Sequence, residues 1–107
     1  VRAHARRLGL PVADKRDKCL FVNLLCDMTR DCDCMNRAQD PLLPDVGIAA
    51  SLDPVAVDQA TLDLTRESAG VSLAEKARPG VDASVQIEHA ELIGLGSRSY
   101  ELIRLPD

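Results

Sequence analysis

The most constraining feature of this sequence is the apolar run CLFVNLLC at residues 19–26. The run has the length of a β-strand, in which successive side chains point to opposite faces. Leu20, Val22 and Leu24 would share one face, and Phe21 and Leu25 would share the other. Because both faces are apolar, we expect a strand that is covered on both sides, as in a layered domain of helices and sheet.

Signals for other elements flank this strand. Residues 1–8 are typical of the end of a helix, and residues 45–50 (DVGIAA) predict a second short strand. Asp53 suits the capping position of a helix and Pro54 its first position. We therefore expect a long helix that begins at Pro54 and is ended by Gly70.

The C-terminal third predicts a connector, a helix and a strand. Residues 71–80 have the character of a surface connector. Asp82 could cap a helix over residues 83–93, and residues 99–105 alternate in the manner of a final strand. The inward stripe of that helix would contain Val85, His89, Leu92 and Ile93.

Length and composition indicate one small domain. The chain has 107 residues, of which 46% are hydrophobic, but it has one Phe and one Tyr, so its core must be aliphatic. We predict an α/β or α+β domain with a small mixed sheet of about three strands and two to three packed helices. The first two strands would lie side by side and the last at or near an edge, with parallel or antiparallel pairing of the first two left open.

The charge pattern excludes some classes of partner. The formal net charge of -4 argues against a surface for nucleic acid or for anionic membranes. No apolar run approaches the roughly 20 residues that span a bilayer. We expect a cytoplasmic protein with neither nucleic acid nor membrane as a partner. Four cysteines in such a compartment indicate metal or redox chemistry more often than disulfides.

The candidate site is the sequence Cys32-Asp33-Cys34, within a long polar segment at residues 27–44. In an extended backbone, residues two apart point to the same side, so both sulfurs could reach one metal ion. Thiolates are the ligands that zinc and iron–sulfur clusters prefer. The alternative is that these are two ordinary loop cysteines. A long loop without regular structure tends to be functional, which favours a site.

Two thiolates supply half of a tetrahedral site. Cys26 lies in the apolar run, where we expect it, like Cys19, to be a small buried hydrophobic side chain. A complete site would nevertheless need Cys26, an acid such as Asp45 or Asp58, or ligands from another part of a longer protein.

Taken in order, several segments resemble the C-terminal half of the domain of unknown function 362 family, often described as iron–sulfur-cluster-binding or ferredoxin-like proteins. The resemblance spans residues 18–105, and its motifs are FVN (21–23), CDC (32–34), DVGI (45–48), ASLDPVAVDQA (50–60), GLG (94–96) and YELI (100–103). Family members are typically longer, and this chain begins with Val1 rather than Met. The resemblance therefore implies a single domain, residues 1–107, that is the C-terminal part of a longer chain.

The resemblance also implies roles for particular residues. Cys32 and Cys34 carry over as the ligands of a metal or cluster, and Asp45, Asp53 and Asp58 as structural or site-lining acids. These three acids and Cys26 are the candidates for additional ligands. Two features depart from the family pattern. Met35 stands where an aromatic residue is expected, and the Cys-x-x-Cys-x-x-Cys run of ferredoxin modules is absent.

Three functions follow from these observations. The leading one is a module that binds a metal ion such as zinc, or an iron–sulfur cluster. Its partner would be the missing N-terminal portion of the same protein or a separate redox protein. The second is a thiol-dependent enzyme domain, with Cys34 as nucleophile and Asp33 or His89 nearby, although the charges of Asp31 and Asp33 disfavour a thiolate. The third is a structural or interaction fragment whose cysteines are incidental.

Overall fold

A computed structural model describes residue 15 and residues 18–106, without the side chain of Asp33. The helix predicted over residues 1–8 lies outside this range. The elements, in chain order, are strand β1 (Phe21–Leu25), a 3-10 turn (Asp33–Met35), strand β2 (Gly47–Ser51) and helices α1 (Pro54–Ala69), α2 (Leu73–Ala77) and α3 (Ser84–Leu92). None of these helices is long and apolar enough to cross a membrane.

The two strands pair directly with one another. β1 and β2 are antiparallel, and Leu24 lies opposite Ile48 in the register. This pairing confirms the prediction that the first two strands are neighbours, and it resolves their direction. An α+β fold results, because the connection between the strands contains no helix long enough for a parallel crossover.

Helix α1 packs across both strands on one face of the sheet. On that face Leu25 is buried, and Phe21 and Asn23 are half-buried. On the opposite face Leu24 is 66% exposed and Ile48 is 71% exposed. The prediction that β1 is covered on both sides is therefore wrong, because residues 18–106 supply a helical layer to one face only.

The ends of α1 confirm the sequence prediction. Asp53 caps the helix, and its Oδ1 accepts hydrogen bonds from the backbone N–H groups of Val55 at 2.8 Å and Ala56 at 3.1 Å. Gly70 ends the helix with a φ of +76°, a left-handed conformation that glycine adopts without steric cost. Both signals are local in sequence, which is why they predict the helix bounds well.

The hydrophobic core has two parts. One joins α1 to α3 and contains Val55, Ile87, Ala90 and Leu95. The other lies at the end of β1 and under the β1–β2 connection, and its buried members are Leu25, Met28 and Leu43. Aliphatic side chains make up both buried clusters, as the composition predicts.

Helix α2 replaces part of the predicted connector over residues 71–80. Its first turn is closed by a capping box, in which the Ser72 hydroxyl accepts the Glu75 N–H and the Glu75 carboxylate accepts the Ser72 N–H. The prediction of an irregular connector is therefore wrong for residues 73–77. The Ser-x-x-Glu spacing is the signal that could have revealed this helix.

Helix α3 is present, but it is rotated from the predicted orientation. Ile87 and Ala90 are its buried residues, whereas Leu92 is 82% exposed. Ala83 occupies the capping position, and the carboxylate of Asp82 accepts the N–H of Ser84. The predicted inward stripe is wrong because packing of Ile87 and Ala90 against α1 sets the rotation.

The final strand predicted over residues 99–105 is not formed. The segment is irregular, and it runs alongside α1 through two polar contacts. The Tyr100 hydroxyl donates to the Asp63 carboxylate at 2.7 Å, and Arg104 pairs with Glu67 at 3.1 Å. Because of these contacts the segment lies beside helix α1 and does not pair with a strand of the sheet. Its apolar side chains remain exposed.

Candidate metal site in the cysteine loop

The connection between β1 and β2, called here the cysteine loop (residues 26–46), is held firmly at its base. Met28 and Leu43 are buried in the core from its two arms. The backbone N–H of Leu42 donates to the carbonyl of Met28, and that of Val46 donates to the carbonyl of Leu25, both at 2.8 Å. The cysteines are therefore carried on a loop with a fixed base.

Asp31 organises the outer part of the cysteine loop. Its carboxylate pairs with the guanidinium groups of Arg78, at 2.6 Å, and of Arg37. Its backbone N–H donates to the Gln39 side chain at 3.0 Å, and its carbonyl accepts the Thr29 hydroxyl at 2.8 Å. The hydrogen bonds from Arg78 and Arg37 lower the pKa of the Asp31 carboxyl below its usual value.

These contacts were not anticipated from the sequence. Arg37 is close to Asp31 along the chain, so their pairing had a local signal in the charge pattern. Arg78 follows α2 and is 47 residues away, and no local pattern links it to the loop. The Asp31–Arg78 pair ties the cysteine loop to the helical layer.

Cys32 and Cys34 lie on the surface around the 3-10 turn. The Met35 N–H donates to the Cys32 carbonyl at 3.0 Å, which closes the turn, and the Cys34 N–H is 3.4 Å from the Cys32 sulfur. Both cysteines are exposed. The expectation of an extended Cys-x-Cys backbone is wrong, because residues 33–35 form this turn.

Cys26 and Asp45 occupy the base of the loop. The thiol of Cys26 lies 4.0 Å from the carbonyl oxygen of Gly47, and Cys26 is exposed, so the prediction that it is buried is wrong. It lies directly after the last residue of β1. The Asp45 carboxylate accepts the N–H of Asp27 at 2.8 Å, which supports the positive φ of Asp27. Cys19 is half-buried.

Asp53 and Asp58 lie on α1, outside the cysteine loop. Asp53 Oδ1 caps α1, and its Oδ2 accepts the Ser97 N–H at 2.8 Å. Asp58 accepts a hydrogen bond from the Asn23 amide at 3.0 Å. His89 is half-buried on α3. In the part of the chain that the structure describes, no group of three or more His, Cys, Asp or Glu side chains is arranged to hold a metal ion.

The fold and the loop define a small α+β domain that presents a pair of surface thiols. Over residues 6–63 the chain matches the sequence profile of a family described as "Domain of unknown function (DUF362)". The match covers more than half of the chain and includes both strands and the whole cysteine loop, so the chain belongs to this family. No curated protein and no solved structure matches the chain.

The matched range differs from the range expected from sequence motifs. It begins before residue 18, and it ends within α1, before the segments at 94–96 and 100–103. The family assignment therefore rests on the residues before β1, both strands, the cysteine loop and the first part of α1.

Proposed function

We propose that this domain binds a metal ion or an iron–sulfur cluster through Cys32 and Cys34. The observation that supports the proposal most directly is the N–H group of Cys34 directed at the Cys32 sulfur at 3.4 Å, on a turn where both cysteines are exposed. A hydrogen bond to sulfur favours the charged thiolate, which is the form that binds metals. Hydrogen bonds to the sulfurs also tune iron–sulfur clusters.

The surroundings of the turn favour the same interpretation. Arg37 and Arg78 pair with Asp31, so the carboxylate next to Cys32 is compensated by two cations. This compensation reduces the electrostatic cost of placing thiolates beside it. The loop base is fixed by backbone hydrogen bonds, which would limit the movement needed to bring ligands together.

Cys32 and Cys34 would fill two of the four positions of a tetrahedral metal site, so two further ligands are needed. Cys26 and Asp45 are exposed residues of ligand type at the base of the same loop, and we propose them as the candidates within this chain. Asp53 and Asp58 lie on α1 and would not act as metal ligands. With Cys26 and Asp45 the site would be complete within this chain, and the N-terminal portion of a longer protein or a redox partner would exchange one electron at a time with a bound cluster in the cytoplasm.

The proposal is tested by anaerobic reconstitution of the chain with iron and sulfide, and separately with zinc, followed by metal analysis and visible absorption. We expect stoichiometric metal in the native sequence and a loss of most of it in Cys32→Ser and in Cys34→Ser. Cys19→Ser is the matched control, because Cys19 precedes β1 and lies outside the loop. A double Cys32→Ser, Cys34→Ser variant that retains its metal, or a native chain that binds none, would contradict the proposal.

A further inference from the structure

A cavity of about 230 Å³ lies between the first half of β1, the first turns of α1 and helix α3. Its walls are mainly apolar, with Phe21, Val57, Ile87 and Leu95 among the lining residues. An apolar cavity of roughly 150 Å³ is enough to bind benzene. The larger cavity therefore has room for a substituted benzene ring.

The polar side of the cavity is formed by Asn23, Asp58 and Gln86. The Asn23 Nδ2 group donates to Asp58 at 3.0 Å and to the hydroxyl of Thr61 at 2.9 Å. Because a carboxylate only accepts hydrogen bonds, these contacts fix the orientation of the Asn23 amide. The carbonyl oxygen of Asn23 and the carboxylate of Asp58 are both acceptors, so this part of the cavity favours a ligand that donates. Gln86 is exposed and carries both donors and an acceptor, so it can bind either kind of group.

The charge of the cavity narrows the class of ligand further. Of the described residues that line it, Asp58 is the one that carries a charge. A negative charge beside an apolar chamber complements a cation that has an apolar body. An anion would be repelled by Asp58, and a fully apolar molecule would gain nothing from its charge. Because Asp58 is exposed, its carboxylate is hydrated and the preference for a cation should be modest.

We propose that this cavity binds a small organic ammonium ion with an apolar, ring-sized body. The ammonium group donates hydrogen bonds to the Asp58 carboxylate and the Asn23 carbonyl oxygen, while the body packs against Ile87 and Leu95. No described cysteine lines the cavity, so this site is separate from the proposed metal site. The polar Asn23 within the apolar strand sequence is the sequence signal for it.

The test uses the 107-residue chain and 2-phenylethylammonium as the probe, followed by amide chemical-shift changes in two-dimensional NMR. We expect saturable shifts at residues that line the cavity. The neutral isostere 2-phenylethanol should bind about tenfold more weakly, as expected for the loss of one charge-assisted hydrogen bond. Equal affinity for the two probes, or shifts outside the cavity, would overturn the proposal.

Two variants locate the interaction. Asp58→Asn keeps an acceptor oxygen for Asn23 but removes the charge, so it should abolish the preference for the ammonium ion. Glu67→Gln is the matched control, because it removes one negative charge from α1 outside the cavity. Ala90→Leu should narrow the cavity and weaken binding of both probes, with the NMR spectrum serving as the check that the chain is folded. Retained preference in Asp58→Asn or undiminished binding in a folded Ala90→Leu protein would refute the site.

Discussion

At the scale of single residues, Asp53 shows how one carboxylate can join distant segments. One oxygen caps α1 and the other accepts the Ser97 N–H from the segment after α3. Gly96 lies so close that a Cβ atom at this position would overlap the Asp53 carboxylate. Sequence reasoning predicted the cap from the Asp-Pro pair, but the contact with Ser97 depends on tertiary packing and had no local signal.

Asp53→Ala should destabilise the fold by about 1–2 kcal/mol through loss of the helix cap. The free energy of unfolding in urea measures the effect. Asp53→Asn is the control, because its amide oxygen can still cap the helix. Its free energy of unfolding should fall by less than that of Asp53→Ala. A change within a few tenths of a kcal/mol for Asp53→Ala would show that neither contact contributes to stability.

Tyr100 offers a second test at this scale, because it is the one tyrosine of the chain and the chain has no tryptophan. Partial burial, then the hydrogen bond to Asp63 and the nearby negative charges, raise the pKa of Tyr100 from 10.0 to about 12. A raised pKa in the folded state means that the interaction stabilises the fold below pH 10 and that this contribution is lost as the pH rises through about 12.

The phenolate absorbance should therefore titrate near pH 12 in the folded protein and near pH 10 in urea. Asp63→Asn should lower the folded midpoint, because it removes the negative charge beside the phenol. Circular dichroism at each pH establishes that the chain is still folded. A folded-state midpoint near pH 10 would contradict the described contact.

At the scale of elements, local signals predicted α1 and the two strands, while contacts between elements decided the rest. The alternating pattern at residues 99–105 predicted a strand, yet Tyr100 and Arg104 attach the segment to α1. The rotation of α3 follows from its packing on α1, which periodicity over a short helix does not determine. The covering of a strand likewise depends on neighbouring layers and not on the strand itself.

The cysteine loop depends on ion pairs that form between elements. Arg78→Gln should increase hydrogen exchange at the amides of Asp31 and Met35, because it releases the loop from the end of α2. Arg66→Gln is the matched control, since Arg66 pairs with Glu75 and has no described contact with the loop. Equal exchange in the two variants would show that the Asp31–Arg78 pair does not order the loop.

The same ion pair gives a pH dependence. The pKa of Asp31 in the folded state lies below its ordinary value of 3.8. The ion pairs of Asp31 therefore stabilise the fold above pH 3.8, and this stabilisation is lost as the pH falls through the folded-state pKa. The protection factors of the loop amides, which correct for the pH dependence of intrinsic exchange, should accordingly fall under acidic conditions before those of the strands. Arg78→Gln should weaken this response.

At the scale of the whole molecule, the described residues form a sheet with one apolar face uncovered. Leu24 and Ile48 lie directly opposite one another and are both largely exposed, as are Leu20 and Val22 beside them. Two-stranded sheets are marginal without a covering layer, and α1 supplies one on a single side. Contiguous exposed apolar surface is typical of sites that contact other molecules or aggregate.

This face should bind a hydrophobic fluorescent dye in the native protein. Replacing Leu24 and Ile48 together by Thr should reduce the dye fluorescence while keeping the strands, because Thr has a high strand propensity. Leu105→Thr is the control, since Leu105 is even more exposed but lies in the C-terminal segment. Unchanged fluorescence in the double variant would show that the dye binds elsewhere.

The candidate site was predicted in part from the sequence. The cysteine pair and its loop were identified, because spacing and loop length are read directly from the chain. The contacts of Asp45 with the Asp27 N–H and of Asp53 with the Ser97 N–H depend on distances that only the fold supplies.

The tip of the cysteine loop has a consequence for protein engineering. Residues 35–38 are exposed, and Asn36 adopts a positive φ of 50°, whereas Met28 and Leu43 anchor the two arms in the core. Exposed loop tips of this kind tolerate inserted sequence well. A ligand-bearing peptide inserted at Asn36 would place further ligand side chains close to the two thiols without disturbing either anchor, so the loop could serve as a scaffold for a designed metal site.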